Sequence, residues 1–213
     1  MPPTLLSVAV GVLLGVGLLG AAFDRRSLAV VALAAGLPDA DAVLAVLGVG
    51  AANASLHSAF VAVGAAGLLY YETERRERSW LRAQSGWYGV RVAWVAVAAY
   101  AVAGIGLDLF STDAVALLYP LSDRYYAVVG KLVVSTQEGL VQTYVDIGEG
   151  WLGLASPGTV ESHTVESHTV GSWWTPAGEE RRLRLVESGW QAIVILTAAA
   201  AIPAKGLVER GDR

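Results

Sequence analysis

Residues 4–23 form an apolar run without a single charged side chain, and no other feature of the chain constrains its fold as strongly. A helix rises about 1.5 Å per residue, so about 20 such residues cross the hydrocarbon core of a bilayer. No basic segment precedes the run, which argues against a secretory signal, and Asp24, Arg25 and Arg26 close it at a polar boundary. Apolar stretches at 51–71, 90–110 and 190–207 predict further crossings, the second of these broken only by Arg91 near its start and Asp108 near its end. Composition points the same way. Of 213 residues 54% are hydrophobic and 16% charged, with a mean hydropathy of +0.51, which excludes a disordered chain and disfavours a soluble globule. Gly11 and Gly15 form a Gly-x-x-x-Gly pair suited to close helix packing.

The segment 27–50 is different. Its apolar runs, 28–36 and 42–50, flank Leu37-Pro38-Asp39-Ala40-Asp41, and each is too short to span. Pro38 biases Leu37 away from helix, so a broken helix is predicted, its interruption facing protein or water. Counting it as one crossing gives five in all, with the N-terminus outside and the C-terminus inside. Arg25 and Arg26, the cluster from Arg75 to Arg91, and Lys205, Arg210 and Arg213 then all lie on the cytoplasmic side. The expected fold is an all-α, multi-pass protein of the cell membrane: a helical bundle over 1–110, an extracytoplasmic insertion over 111–187, and a final helix with a cytoplasmic tail over 188–213.

Within the insertion, residues 125–134 and 140–147 are rich in Val, Tyr and Thr and predict a β-hairpin across a five-residue loop. Beyond it the chain turns Gly/Ser/Pro-rich and carries Glu-Ser-His-Thr-Val twice, at 161–165 and 166–170. The repeat reads as a duplicated linker, or as a metal clip built from Glu161, His163, Glu166 and His168. The insertion could also engage a protein partner. A net charge of −4 argues against a nucleic-acid binder, whereas membrane lipid is an expected partner. The chain has no cysteine, hence no thiolate ligand and no cysteine nucleophile. Ser58 adjoins His57, and helix neighbours point about 100° apart, so they cannot form a nucleophile–base pair. A transporter would call for a second broken helix in an inverted repeat.

The five-crossing arrangement places Asp39, Asp41, His57 and Asp108 at one outer level. Three carboxylates and an imidazole at membrane depth, with no cation in the same helices, repel one another unless a divalent metal joins them. Carboxylate and imidazole donors suit zinc, manganese or iron. Taken singly, the residues have plainer roles: Asp39 and Asp41 as caps of the next half-helix, His57 at the interface, Asp108 solvated at a helix end.

The order of Leu37-Pro38-Asp39-Ala40-Asp41, His57-Ser58, Gly-x-Gly-Leu-Asp at 104–108 and Leu118-Tyr119-Pro120 resembles the membrane-bound metal-dependent hydrolases, also called LexA-binding inner-membrane hydrolase-like proteins. Arginine outnumbers lysine 13 to two, which with the acidic excess resembles the haloarchaeal branch. The resemblance runs through roughly residues 1–145 and implies a metal held by Asp39, Asp41, His57 and Asp108. It also exposes departures: the family pattern has histidines where this chain has Ser7, Ala52 and Gly104. Four ligands can hold one ion, and a two-metal centre is not expected. Two functions follow. One is hydrolysis of a lipid-linked or phospholipid phosphoester through a single divalent metal at the outer membrane level. The other is a degenerate, non-catalytic membrane scaffold or binding module of the same family.

Overall fold

Helix α1 (Thr4–Leu18) stops where Gly20 adopts a φ of +54°, a conformation L side chains rarely tolerate. The Arg91 guanidinium fills the space a side chain would need there, and its Nε donates to the Leu18 carbonyl at 2.9 Å. The charge inside an otherwise apolar run thus serves the open C-terminal carbonyls of α1. Asp24 then starts α2 (Arg25–Gly36) by accepting the Ser27 N–H at 2.7 Å. In this computed structural model residues 3–46, 53–111, 114–128, 133–135, 139–142, 159–160 and 185–211 are described.

The predicted break lies at Leu37, where α2 ends and a 3₁₀ turn, Pro38–Ala40, leads into the short α3 (Asp41–Val46). Ser58 caps α4 (Ala59–Tyr70), which tightens into a π-helical turn at Tyr71–Arg75. Ser79 caps α5 (Trp80–Ala99). A π-helical stretch, Tyr100–Gly106, and α6 (Leu107–Leu109) continue α5 without a break. The last helix is α7 (Gly189–Gly211).

Among the described residues two helical segments are long and apolar enough to cross a membrane: Trp80–Leu109, which is kinked at Gly86 (φ +62°), and, within α7, Gly189–Val208. Ile193 and Leu196 on α7 are two-thirds exposed, as lipid-facing side chains are. Helix length supports only these two of the five expected crossings, because the other apolar helices among the described residues are shorter. Helix α1 has 15 residues and α4 only 12, and the broken segment divides its apolar residues between α2 and α3.

Small residues set the packing. A Cβ on Gly11 would lie 2.4 Å from Ala35 Cβ, and one on Gly15 2.7 Å from Leu28 Cδ1, so α1 rests on α2 through the Gly-x-x-x-Gly face. One apolar core joins Leu19, Val31, Ala35, Val95, Ala99 and Ala103; another joins Ala9, Val12, Leu28 and Ala198 and seats α7.

The outer segment differs from expectation. Of the hairpin expected over 125–134 and 140–147, the described residues show β1 (Val133–Ser135) paired with β2 (Gly139–Gln142), antiparallel and with an irregular register, and residues 129–132 and 143–147 lie outside the described residues. Tyr126 pairs instead with Val115. The Val/Tyr-rich stretch reaches the helices at Val128, whose N–H donates to Leu109 O at 2.6 Å, and the segment before it does so too: Ala59 N–H donates to Leu117 O at 2.8 Å, and Ala116 N–H to Asn53 O at 3.0 Å. Ala54, Ala114, Ala116, Tyr125 and Ala127 bury a small core there. The tandem repeat at 161–170 lies outside the described residues.

Candidate metal centre

Three segments of the chain bring the expected residues together. Pro38 starts the 3₁₀ turn that presents Asp39, and Asp41 opens α3 one residue beyond that turn. His57 precedes the cap of α4 and is held from both sides. The Ser58 hydroxyl accepts from Phe60 N–H and donates to Tyr119 O at 2.6 Å, while the Tyr100 hydroxyl donates to the Leu56 carbonyl. Asp108 sits in α6, just after the π-helical stretch.

All four side chains are buried. Asp41 and His57 are fully enclosed, Asp108 is 1% exposed and Asp39 7%. The imidazole is the hub. Its Nδ1 lies 2.8 Å from Asp41 Oδ2, which also accepts the Ala54 N–H at 3.1 Å. Its Nε2 lies 2.8 Å from Asp108 Oδ2 and 3.5 Å from Asp39 Oδ1. Ligand atoms of Asp39, His57 and Asp108 fall within 4.8 Å of one another. The four residues therefore occupy two places, with Asp41 behind the ring and Asp39 and Asp108 in front of it.

The front of the ring is left electrostatically incomplete. His57 Nε2, both oxygens of Asp39 and both of Asp108 have no aligned hydrogen-bond partner among the described residues. Buried polar atoms are normally paired, and unpaired buried carboxylates are costly. With Nδ1–H donating to Asp41, a neutral ring turns its Nε2 lone pair on carboxylate oxygens, which repels. At 2.8 Å from Asp108 Oδ2, a proton on Nε2 relieves that repulsion with a hydrogen bond but supplies one charge against three carboxylates; a divalent ion would neutralise more and could take the orphaned oxygens as ligands. One nitrogen and two carboxylates form a donor set for zinc, manganese or iron.

Gly104 acquires a role that spacing did not suggest. A Cβ there would meet Pro38 Cγ at 2.5 Å and the Ala35 carbonyl at 3.0 Å. The missing side chain lets the π-helical stretch press against the Pro38 ring, next to Asp39, and leaves no room for an imidazole. Ser7 is buried on α1, and Ala52 lies outside the described residues.

The supporting residues Tyr100 and Asn53 were not singled out from sequence. Tyr100 had a signal, as a hydroxyl-bearing side chain deep in the apolar run ahead of Asp108. Asn53 is buried with φ of +50°, which asparagine accepts more readily than most residues, and its Nδ2 donates to Ala114 O at 3.1 Å.

Curated proteins and solved structures provide no match to the chain. Residues 4–165, a stretch that includes the whole cluster, match the family described as YdjM inner membrane protein. With that match over most of its length, and with two membrane-length apolar helices, the chain belongs to the YdjM inner membrane protein family.

Proposed function

We propose that the chain is a multi-pass membrane protein that binds one divalent metal ion through Asp39, His57 and Asp108 and hydrolyses a phosphoester at the outer membrane level. The observation that carries this reading is the buried His–Asp–Asp cluster with its unpartnered nitrogen and oxygens. A divalent cation held there supplies Lewis-acid activation of water and charge neutralisation at a phosphoryl oxygen. The protein's own part is positioning. Asp41 accepts from Nδ1, fixes the tautomer and turns the Nε2 lone pair toward the front of the site. Tyr100 and Ser58 hold the backbone on either side of His57, so the ring keeps its direction.

A five-crossing arrangement, with the broken helix counted as one, rests on the apolar runs of the sequence and on the distribution of arginines. The arginine preference and net charge of −4 support a haloarchaeal origin. A centre at bilayer level favours a lipid-linked or phospholipid substrate over a soluble one, and the outer insertion is the place for a protein partner. The competing reading is a non-catalytic scaffold. Gly104 favours it, because its packing excludes a further imidazole ligand that the hydrolase pattern calls for.

Elemental analysis of the detergent-purified protein in high salt, beside an Asp108→Asn/His57→Ala variant, separates the two. Near-stoichiometric zinc, manganese or iron in the wild type and none in the variant supports the metal centre and justifies a phosphoester screen. No metal in the wild type after supplementation leaves the scaffold.

A further inference from the structure

One cavity lies away from the metal cluster, where the α1–α2 turn meets the start of α5. It encloses about 670 Å³, within the range of small-ligand pockets, which is about 300–1,000 Å³. Its walls divide by chemistry. Val30, Leu81 and Val92 make an apolar side, while Asp24, Arg26, Ser27 and Tyr88 supply polar groups. A second cavity of about 490 Å³ lies across Phe23, between α2 and α7, with Arg25 in its wall. The two consecutive arginines thus serve one cavity each. Both are exposed, and neither forms an ion pair among the described residues. Asp24, the acid in the same turn, already accepts the Ser27 N–H.

The surroundings set the depth of this place. Trp80, Trp87 and Tyr88 are each at least 60% exposed around the start of α5, as aromatic side chains are at headgroup level. A hydrocarbon-lined slot that opens beside two cations at that level matches a molecule with an acyl chain and an anionic head. Basic pockets between membrane helices on the cytoplasmic side hold such head groups.

We propose that the Arg25–Arg26 turn binds the phosphate of an anionic phospholipid from the cytoplasmic leaflet, with an acyl chain lying along Val30, Leu81 and Val92 in the larger cavity. The site is independent of the metal cluster. It requires only that the Arg25–Arg26 turn lie on the cytoplasmic side.

Native mass spectrometry of the full chain in detergent, titrated with phosphatidylglycerol, phosphatidylcholine or inorganic phosphate, tests the proposal. Phosphatidylglycerol should remain bound to the wild type and to Arg75→Gln/Arg78→Gln, a variant in the other cytoplasmic basic cluster. In Arg25→Gln/Arg26→Gln retention should fall about 25-fold, the effect of two cations at a lipid surface. Ser85→Leu, which fills the cavity without altering charge, should also weaken retention. Equal phosphatidylglycerol retention in the Arg25/Arg26 variant overturns the site. Equal retention of phosphatidylcholine overturns the anionic head, and displacement of the lipid by phosphate alone, with Ser85→Leu unaffected, overturns the acyl slot. All four substituted arginines are solvent-exposed, so these variants test binding rather than folding.

Discussion

Replacing Asp41 with Asn tests whether this carboxylate binds the metal or orients the residue that does. Asp41 Oδ2 faces His57 Nδ1 at 2.8 Å and accepts the Ala54 N–H at 3.1 Å, on the side of the ring away from Asp39 and Asp108. Asparagine keeps one oxygen that can accept both hydrogen bonds, so the tautomer and the loop survive. What goes is the charge. Charge-assisted hydrogen bonds are roughly twice as strong as neutral ones, and the imidazole becomes a poorer donor to a cation. Loss of such an orienting partner costs about 10–100-fold in metal affinity, or about 1.4–2.8 kcal/mol. Asp108→Asn instead removes a proposed ligand and should cost more than about 100-fold. Chelator competition with zinc or manganese on the detergent-purified chain measures both. An equal loss in the two variants makes Asp41 a ligand in its own right, and no loss in Asp41→Asn refutes the orienting role.

Other expectations concern stability and packing. Without metal the clustered carboxylates oppose one another, so Asp108→Asn should raise the melting temperature of chelator-treated protein and lower that of metal-loaded protein; a shift of the same sign in both states contradicts a metal ion between them. Gly11→Val should loosen the seat of α1 on α2 by about 1–3 kcal/mol, because its Cβ would meet Ala35 Cβ at 2.4 Å. Gly17→Ala, with nothing within 4 Å, should be neutral or mildly stabilising in the same denaturation series. The Ser27 backbone N–H holds Asp24 below the usual carboxylate range. Its contribution to α2 is therefore complete above about pH 4 and declines as pH falls through the lowered folded value. Asp24→Asn should remove that part of the acid dependence, read by hydrogen exchange in the first turn of α2.

The residue pattern alone carried much of this protein. Apolar runs located α1, the Trp80–Leu109 segment and α7, because a helix in a bilayer must satisfy its backbone internally and show apolar side chains to lipid. Pro38, with two aspartates behind it, located the break, since proline restricts the residue before it. The ionisable residues among apolar helices also identified Asp39, Asp41, His57 and Asp108, whose burial needs a reason. Helix lengths were less legible. Gly20 ends α1 early, and the outer segment 114–128 spends its backbone groups on residues near 53 and 59 rather than on a longer hairpin. Only the tertiary structure decided how the three carboxylates divide around the imidazole, and that Gly104 makes room for contact with Pro38. Spacing along a chain fixes which residues share a level in the membrane. The direction a ring faces and the space beside a glycine arise from elements distant in sequence, and they exist only once those elements have packed.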